Sequence, residues 1–582
     1  MLRAVCRWLA VHNSFALGQV VLSVILRRMK WRLCLLLLIS PAVHSAPASH
    51  GAVATVHPLA TEAALEAMRS GGNAVDAVIA AALTLGVVDS HNSGLGGGCF
   101  LLVRTPDGSF VAIDGREQAP AAATANMFVR DGKADPKLSQ FGALAIGVPG
   151  ALAAYDYACR TYGRIPLARH LEAAAQLAAN GFQVTRTLAR RLEENADELR
   201  HFESSRAVFF KADGSPWREG DLFAQRDLAQ SYKSIASKGT AWFYEGPFAS
   251  AAETWMKSNG GLVTAADFKN YQFKLREPVR TTYRGCEVVG FPPPSSGGVH
   301  LGQILNILEQ FDLKKLGPES PEFVHIVVEA MKLAFADRAH WLGDPDFAAV
   351  PRGLVSKEYA ARLATKIDRK HASAVPGHET PPRSAEDVFG KHTTHFSAAD
   401  AEGYWVACTA TINTSFGSKV VIPGTGIVMN NQMDDFSLQP GVPNYFGLVG
   451  AKANAIAPGK RPLSCMSPTI VLRDGRPILS VGAAGGPTII SQTLLAIIYV
   501  VDFGMPAGKA LAMPRFHHQW LPDELRVERS MPEKIRRELE HLGHHLKVVE
   551  TIGVAQAVGL DGRKTGFTGV ADPRTEGKAG AF

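Results

Sequence analysis

Apolar positions recur along this chain in two rhythms. The first repeats every three or four residues and is clearest at Phe323, Val327, Ala330, Met331 and Ala334, which would share one face of a helix. Ser320-Pro321 opens that helix, because a missing N–H does no harm in a first turn, and Gly343 stops it. The same rhythm predicts a helix capped by Thr61, with Glu62 in its first turn, Leu65 and Met68 on one face and Gly71-Gly72 at its end. Asn73 caps a further helix over residues 74–85, where Ala77, Ala80, Ala81 and Ala82 favour close packing against a neighbour. Residues 150–260 read as a helical layer, with periodicity strongest over 168–177 and 188–199.

The second rhythm is β-like and predicts strands at 99–103, 111–113, 426–429, 469–472 and 478–481. The first of these follows Gly94-Leu95-Gly96-Gly97-Gly98. That run precedes a strand rather than opening a helix, and no Lys-Ser/Thr follows it, so it reads as a tight turn under an active site and not as a phosphate loop. Pro292-Pro293-Pro294-Ser295-Ser296-Gly297-Gly298 forms a rigid turn before another helix. Residues 365–392 are rich in Lys, Arg, His, Asp, Glu and Pro and predict an exposed loop. A hairpin comes next. One strand runs from Thr393 to near residue 399, Asp400-Ala401-Glu402-Gly403 turns, and 404–411 returns. Trp405, Ala407, Thr409, Thr411 and Asn413 fall on one face. Paired positions in such a hairpin sum to about 804, which sets Thr411 opposite Thr393.

Composition changes this picture little. The chain has 582 residues, 46% hydrophobic and 20% charged, ordinary values for a globular protein. Its formal charge of +7 is mostly local: Arg3, Arg7, Arg27, Arg28, Lys30 and Arg32 lie in residues 1–46, which hold no acid, leaving +1 for the rest. Nothing in that balance calls for nucleic acid. Residues 1–46 resemble a secretory leader, with a basic Met29-Lys30-Trp31-Arg32, a short apolar core over 33–39 and small residues at Ser45-Ala46. Export across the inner membrane, to a periplasmic or extracellular site, is the corresponding expectation, with Met29 as the start. Cys99, Cys159, Cys286, Cys408 and Cys465 are far apart and odd in number, so buried thiols are expected rather than a disulfide frame or a zinc site.

Three polar features carry chemistry. Thr393 follows the exposed loop. A free threonine hydroxyl needs a base, and cleavage between His392 and Thr393 would supply one in the new α-amine, whose pKa of roughly 7.7–8 leaves a useful neutral fraction. Arg116 stands at a strand end, where its planar fork can grip a carboxylate. Gly485-Gly486 follows a strand and precedes a helix, so their backbone N–H groups lie near a helix N-terminus, a natural anion site.

With these features, the chain resembles the γ-glutamyltransferases (glutathione hydrolases) of the N-terminal-nucleophile hydrolase superfamily. The matching stretches are Gly71-Gly72-Asn73-Ala74-Val75-Asp76-Ala77, Gly94 to Gly98, Arg116-Glu117-Gln118-Ala119-Pro120, Pro292 to Gly298, residues 329–344, Thr393-Thr394-His395, residues 430–437 and 461–468, and Ala571-Asp572-Pro573-Arg574, in the family's order across residues 50–582. The resemblance implies an α+β fold, a four-layer αββα sandwich made as one precursor. Autocleavage before Thr393 would give a large subunit over 47–392 and a small one over 393–582, interlocked. Thr393 would be the nucleophile and Thr411 would hydrogen-bond its hydroxyl. Arg116 and Ser464 would hold the substrate α-carboxylate, with Cys465 beside them. Asn413, Gln432 and Asp435 would hold the α-ammonium, and Gly485 and Gly486 would form the oxyanion hole. The loop after Asp435 resembles the family's lid, with Tyr445 or Phe446 at its tip. Glutathione and other γ-glutamyl compounds would be donors, amino acids, peptides or water the acceptors, and no cofactor or metal is implied.

Two departures bear on binding. Cys465 stands where the family usually has a second Ser, and Gly482-Ala483-Ala484 replaces the usual Gly-Ser-Pro. A thiol is the weaker hydrogen-bonding partner, so altered carboxylate binding is expected. A related cephalosporin or glutaryl acylase is the main alternative, although an acid such as Asp435 has less to read in a substrate without an ammonium group. A processed but inactive binding protein is a second alternative. A metal enzyme resting on His517-His518 and His541-Leu542-Gly543-His544-His545 is a third, and it lacks an HExxH motif.

Overall fold

Side-chain alternation decides the layering. The computed structural model describes residues 48–382, 396–560 and 566–582. The leader, and the Thr393-Thr394-His395 stretch with the cleavage site before it, lie outside the described residues. Two antiparallel sheets form the centre. The first runs in the order Lys578–Ala581, Gly51–Thr55, Ser397–Asp400, Trp405–Thr411, Gly98–Arg104, Phe110–Gly115 and Lys274–Arg276. The second runs Phe567–Ala571, Val554–Leu560, Arg476–Ala484, Thr469–Arg473, Cys286–Gly290 and Val279–Tyr283.

Both faces of the first sheet are buried, each by different residues of the same strands. Phe100, Leu102, Trp405 and Ala407 point into the core shared with the second sheet. Leu101, Val103, Val406 and Cys408 point the other way, into a core with the helices Pro58–Arg69, Ala74–Val88, Ala151–Tyr162 and Leu167–Asn180. The sheets meet where Ser397 Oγ lies 2.9 Å from Ser480 Oγ and Phe100 stacks on Phe291 with ring centroids 4.9 Å apart. Helices Gly297–Leu308, Pro321–Trp341 and Thr488–Val501 share the second sheet's core and complete the αββα order. Ala74–Val88 is buried along its whole length, as its small residues require, and Asn73 with Asp76 makes a reciprocal capping box.

The hairpin takes the expected register, pairing Ser397 with Ala407, Ala398 with Val406 and Ala399 with Trp405. The five cysteines beyond the leader are buried and free. Among the described residues, no helix is long and apolar enough to cross a membrane.

Several local expectations are corrected. Thr61 is not a cap. The helix begins at Pro58, His57 Nδ1 accepts the Leu59 N–H at 3.2 Å, and the Thr61 hydroxyl bridges Thr55 Oγ1 and the Lys578 carbonyl instead. Residues 188–199 are divided between two helices, Arg186–Glu194 and Ala196–Arg200, with Asn195 between them. The strand expected at 426–429 is a short turn-back with one bridge, Val428 to Val421; the chain then leaves the pairing so that the Asn430 N–H can reach Gly96 O at 3.1 Å. The described part of the loop after residue 365 is polar and largely exposed, as expected, and is also strapped down, with Lys332 Nζ on Ser373 O at 2.6 Å, Trp520 Nε1 on Val375 O at 2.7 Å and Trp341 Nε1 on Glu379 O at 2.9 Å.

Candidate active site

The glycine run packs against the strand end at Thr411. A Cβ on Gly97 would sit 1.9 Å from the Thr411 carbonyl oxygen, so only glycine lets this turn pass beneath the end of the Trp405–Thr411 strand. Gly96 O accepts from both the backbone and the side chain of Asn430. This contact fixes the segment that carries Gln432 and Asp435 relative to the strand that ends at Thr411.

One cavity of about 260 Å³ is lined by the end of that strand, Thr409 to Thr411. Arg116, Thr411, Asn413, Gln432, Asp435, Ser464, Cys465, Gly485 and Gly486 all line it. These are all the expected site residues except Thr393, which lies outside the described residues.

Arg116 is wholly buried and forms the cavity's electrostatic anchor. Its Nη2 lies 2.5 Å from Asp435 Oδ2, and its Nε donates to Pro462 O at 3.1 Å. Nη1 has Glu117 Oε2 at 3.5 Å but no hydrogen-bond acceptor among the described residues. Gln432 Nε2 donates to Asp435 Oδ2 at 2.8 Å, while Gln432 Oε1 is buried and accepts nothing among the described residues. Two residues lining the cavity therefore each carry a buried polar atom without a hydrogen bond among the described residues: Arg116 Nη1, held only by the Glu117 charge, and Gln432 Oε1, beside an acid. Unspent buried groups of this kind are costly unless a ligand uses them.

The Thr411 hydroxyl accepts the Asn413 N–H at 2.8 Å, and Asn413, at φ 78°, turns its amide to Asn431 O at 3.0 Å. Ser464 is held from behind: its N–H donates to Pro294 O at 2.7 Å, and its carbonyl accepts from Ser296 N at 2.7 Å and Ser296 Oγ at 2.8 Å. The Pro-Pro-Pro-Ser-Ser turn is thus a buttress for the Ser464 end of the cavity. Arg338 Nη2 lies 3.2 Å from the Cys465 thiol and its Nε donates to Ser296 Oγ. Burial raises the Cys465 pKa despite that guanidinium, so the thiol stays protonated.

Gly485 and Gly486 end the strand Arg476–Ala484 and lead into the helix Thr488–Val501. The Thr488 hydroxyl donates to Gly485 O at 2.8 Å and fixes the turn. At Gly486, φ is +60° and a Cβ would lie 2.5 Å from the Phe446 ring, so glycine is required on two counts. Phe446 and Tyr445 cover this end of the cavity, with Tyr445 58% exposed. Asp434 accepts the Tyr445 N–H at 2.9 Å and the Ser139 hydroxyl at 2.7 Å, and its burial lifts its pKa to about 6.

Sequence reasoning missed Glu117, Asn92, Arg191 and the Arg338 support for Cys465. Glu117 could have been found from its place next to Arg116. Burial, only partly offset by the Arg116 charge, raises its pKa to about 7. This gives a pH prediction. The raised pKa means that Glu117 is neutral in the fold below about 7 and ionised above it, where it competes for the Arg116 charge. The KM for a substrate carrying an α-carboxylate is expected to rise as pH passes upward through this window, by about fivefold, on the order of 1 kcal/mol. Glu117→Gln should hold KM flat at the low-pH value. Parallel KM profiles for variant and parent would refute this role.

Among the described residues, His544 of the second histidine segment falls in one cluster with His325 and Glu329, whose ligand atoms lie within 4.8 Å of one another. His544 Nε2 lies 2.8 Å from His325 Nδ1, whose other nitrogen meets Asp368 O at 2.6 Å. Glu329, the third member of the cluster, is paired with Lys332 at 2.6 Å and accepts the Ser373 N–H. His517 contacts Ser491 Oγ and Gln519, and His518 contacts Asp523. Each of these side chains already has a protein partner.

Two stacked antiparallel sheets between helical layers, with a cleft that reads both signs of charge at the strand ends, define an enzyme of the N-terminal-nucleophile hydrolase fold. The Gamma-glutamyltranspeptidase family model matches residues 60–582. The glutathione hydrolase proenzyme of Escherichia coli (strain K12) is 44% identical over 537 residues, covering 91% of this chain and 92% of that protein. The acylase ACY 1 proenzyme of Pseudomonas sp. (strain SE83) is 38% identical, covering 88% and 89%. The crystal structure of cephalosporin acylase from Bacillus halodurans superposes with a TM-score of 0.81 at 30% identity, covering 92% of this chain and 96% of that one. The chain belongs to the gamma-glutamyltranspeptidase family.

Proposed function

We propose that this enzyme transfers the γ-glutamyl group of glutathione and related γ-glutamyl compounds to water or to amino acid and peptide acceptors. The observation that carries this reading is the pair of atoms without a hydrogen bond among the described residues, Arg116 Nη1 and Gln432 Oε1, one on each of two side chains that meet at Asp435. A zwitterionic amino-acid head can insert there. Its α-carboxylate takes Arg116 and the Ser464 side, and its α-ammonium takes Asp435, Gln432 and Asn413. One internal ion pair is exchanged for two external ones, so no buried charge is left uncompensated.

In this reading the chain is cut between His392 and Thr393, giving a large subunit over 47–392 and a small one over 393–582. The freed Thr393 amine takes the hydroxyl proton as Oγ attacks the γ-carbonyl. The oxyanion is held by the Gly485 and Gly486 N–H groups, each donor worth about 3 kcal/mol of barrier. The C–N bond breaks as the amine leaves with the proton, and water or an acceptor amine then resolves the γ-glutamyl-Thr393 ester. A leader-directed periplasmic or extracellular location accompanies this reading.

Two measurements test it together: the N-terminal residue of the smaller purified polypeptide, and turnover of γ-glutamyl-p-nitroanilide beside its glutaryl counterpart. Thr393 at the new terminus and preference for the γ-glutamyl compound are expected. A glutaryl preference would establish the acylase alternative instead.

A further inference from the structure

Among the described residues lining the cavity, only Arg116 and Arg191 are basic. Arg116 is enclosed and committed to the substrate head. Arg191 comes from the helix Arg186–Glu194, and its side chain is 38% exposed. Its Nη1 donates to Glu194 Oε2 at 2.8 Å, but that acid is 46% exposed, and a solvated pair of this kind is weak. A guanidinium has five N–H donors, so several remain for a second, bidentate acceptor.

The wall around Arg191 is polar and fixed. Asn92, Thr414 and Ser415 line the same cavity. The 412–416 loop is tied to this side by Ile412 N–H to Asn92 O at 3.0 Å and Phe416 N–H to His91 O at 2.8 Å. Asn92 Nδ2 in turn donates to Asp89 Oδ1 at 3.1 Å. This wall and the Arg116–Asp435 pair line the same cavity but hang on different segments: Asn92 holds the 412–416 loop, whereas Arg116 is anchored to the 462–463 backbone.

We infer that Arg191 forms an anion subsite for the C-terminal carboxylate on the non-glutamyl side of the scissile bond, in the leaving peptide and in an incoming acceptor. This rests on the γ-glutamyl reading above. The acyl head uses every ionic group at the enclosed end of the cavity. A γ-glutamyl peptide carries one more carboxylate, beyond the γ-carbonyl and towards solvent. The remaining cation among the described lining residues is Arg191, which is partly exposed to solvent. Because this carboxylate does not change during the reaction, Arg191 is a specificity residue that acts on binding and not on the acyl-transfer step.

The test is Arg191→Gln assayed with three donors: glutathione, glutathione carrying a C-terminal amide, and γ-glutamyl-p-nitroanilide, which has no carboxylate on its leaving group. Glutathione kcat/KM is expected to fall about tenfold, mainly through KM, with the amide and the anilide within about twofold of the parent. Arg191→Lys should recover part of the loss, since a point charge replaces the fork. Added salt should raise the glutathione KM of the parent more than that of Arg191→Gln. Equal losses on all three donors, or no loss on glutathione, would overturn the subsite. If the parent turned over none of the three, the γ-glutamyl reading itself would fall, and that outcome is distinct from a failure of Arg191.

Discussion

Thr393→Ala is expected to yield a single chain that never divides on a denaturing gel and whose γ-glutamyl turnover is lower by about 10³-fold or more. The basis is the hairpin. Ser397 pairs with Ala407, and the Cys408 N–H donates to Phe396 O, so the described strand is already in register three residues beyond Thr393. The sequence expectation that residue 393 pairs with Thr411 uses the same count of about 804, and the Thr411 hydroxyl accepts the Asn413 N–H at 2.8 Å in a residue that lines the cavity. Alanine removes both the hydroxyl that would attack the peptide bond before it and the one that would carry the acyl group. Thr393→Ser is the control. It keeps the hydroxyl and the α-amine, and should process and turn over measurably, more slowly than the parent because the γ-methyl group that fixes the rotamer is gone. A Thr393→Ala protein that divided normally would remove Thr393 from the mechanism.

How much of this was legible in the sequence depends on whether the signal was local. The hairpin register was legible because a period of two and a four-residue turn leave one pairing that buries Trp405 and Ala407 on one side and Val406 and Cys408 on the other. The Asn73 cap was legible for the same reason, since its partners lie within three residues. Thr61 misled because its hydroxyl answers to Lys578, 517 residues away, and no local rule sees that bond. The strand expected at 426–429 failed because its end is drawn to Gly96. At the site, residue types at strand ends suggested Arg116 and Gly485-Gly486. The roles of Ser464, Cys465, Gln432 and Asp435 came from resemblance, because the segments bearing them, a short 3-10 turn over Gln432–Asp435 and the irregular chain around Ser464, are positioned by tertiary bonds. Arg191 and Glu117 went unassigned for a related reason. Nothing near Arg191 in the sequence distinguishes an exposed helical arginine from one lining a cavity, and Glu117 had only its place beside Arg116 to mark it.

Asp435→Asn is expected to lower kcat/KM for γ-glutamyl donors by about 10²- to 10³-fold, or 3–4 kcal/mol, the scale for losing one partner of an enclosed charge pair. Two adjacent acids make the experiment specific. Asp434 holds the Tyr445 N–H and the Ser139 hydroxyl and so supports the covering loop, whereas Asp435 faces Arg116 and Gln432. Asparagine at 435 keeps the shape but removes the charge that would meet the α-ammonium. It also leaves Arg116 with Glu117 as its nearest acid, at 3.5 Å. The Asp435 charge is one of the influences that raise the Glu117 pKa, so its removal lets Glu117 ionise more readily and take over part of the compensation. The sign follows directly. At pH well below 7 Glu117 remains protonated and Arg116 is buried without a counter-charge, so the loss of stability is largest there, approaching about 3–5 kcal/mol. Above that window Glu117 is ionised and the loss shrinks. Thermal melts of parent and variant at pH 5.5 and pH 8 check this, and a larger Tm deficit at pH 8 would contradict it. Donor preference gives the functional readout. A glutaryl group lacks the ammonium, so its turnover should fall far less than that of the γ-glutamyl compound. An equal fall for both would mean that Asp435 only braces Arg116 and does not read the substrate.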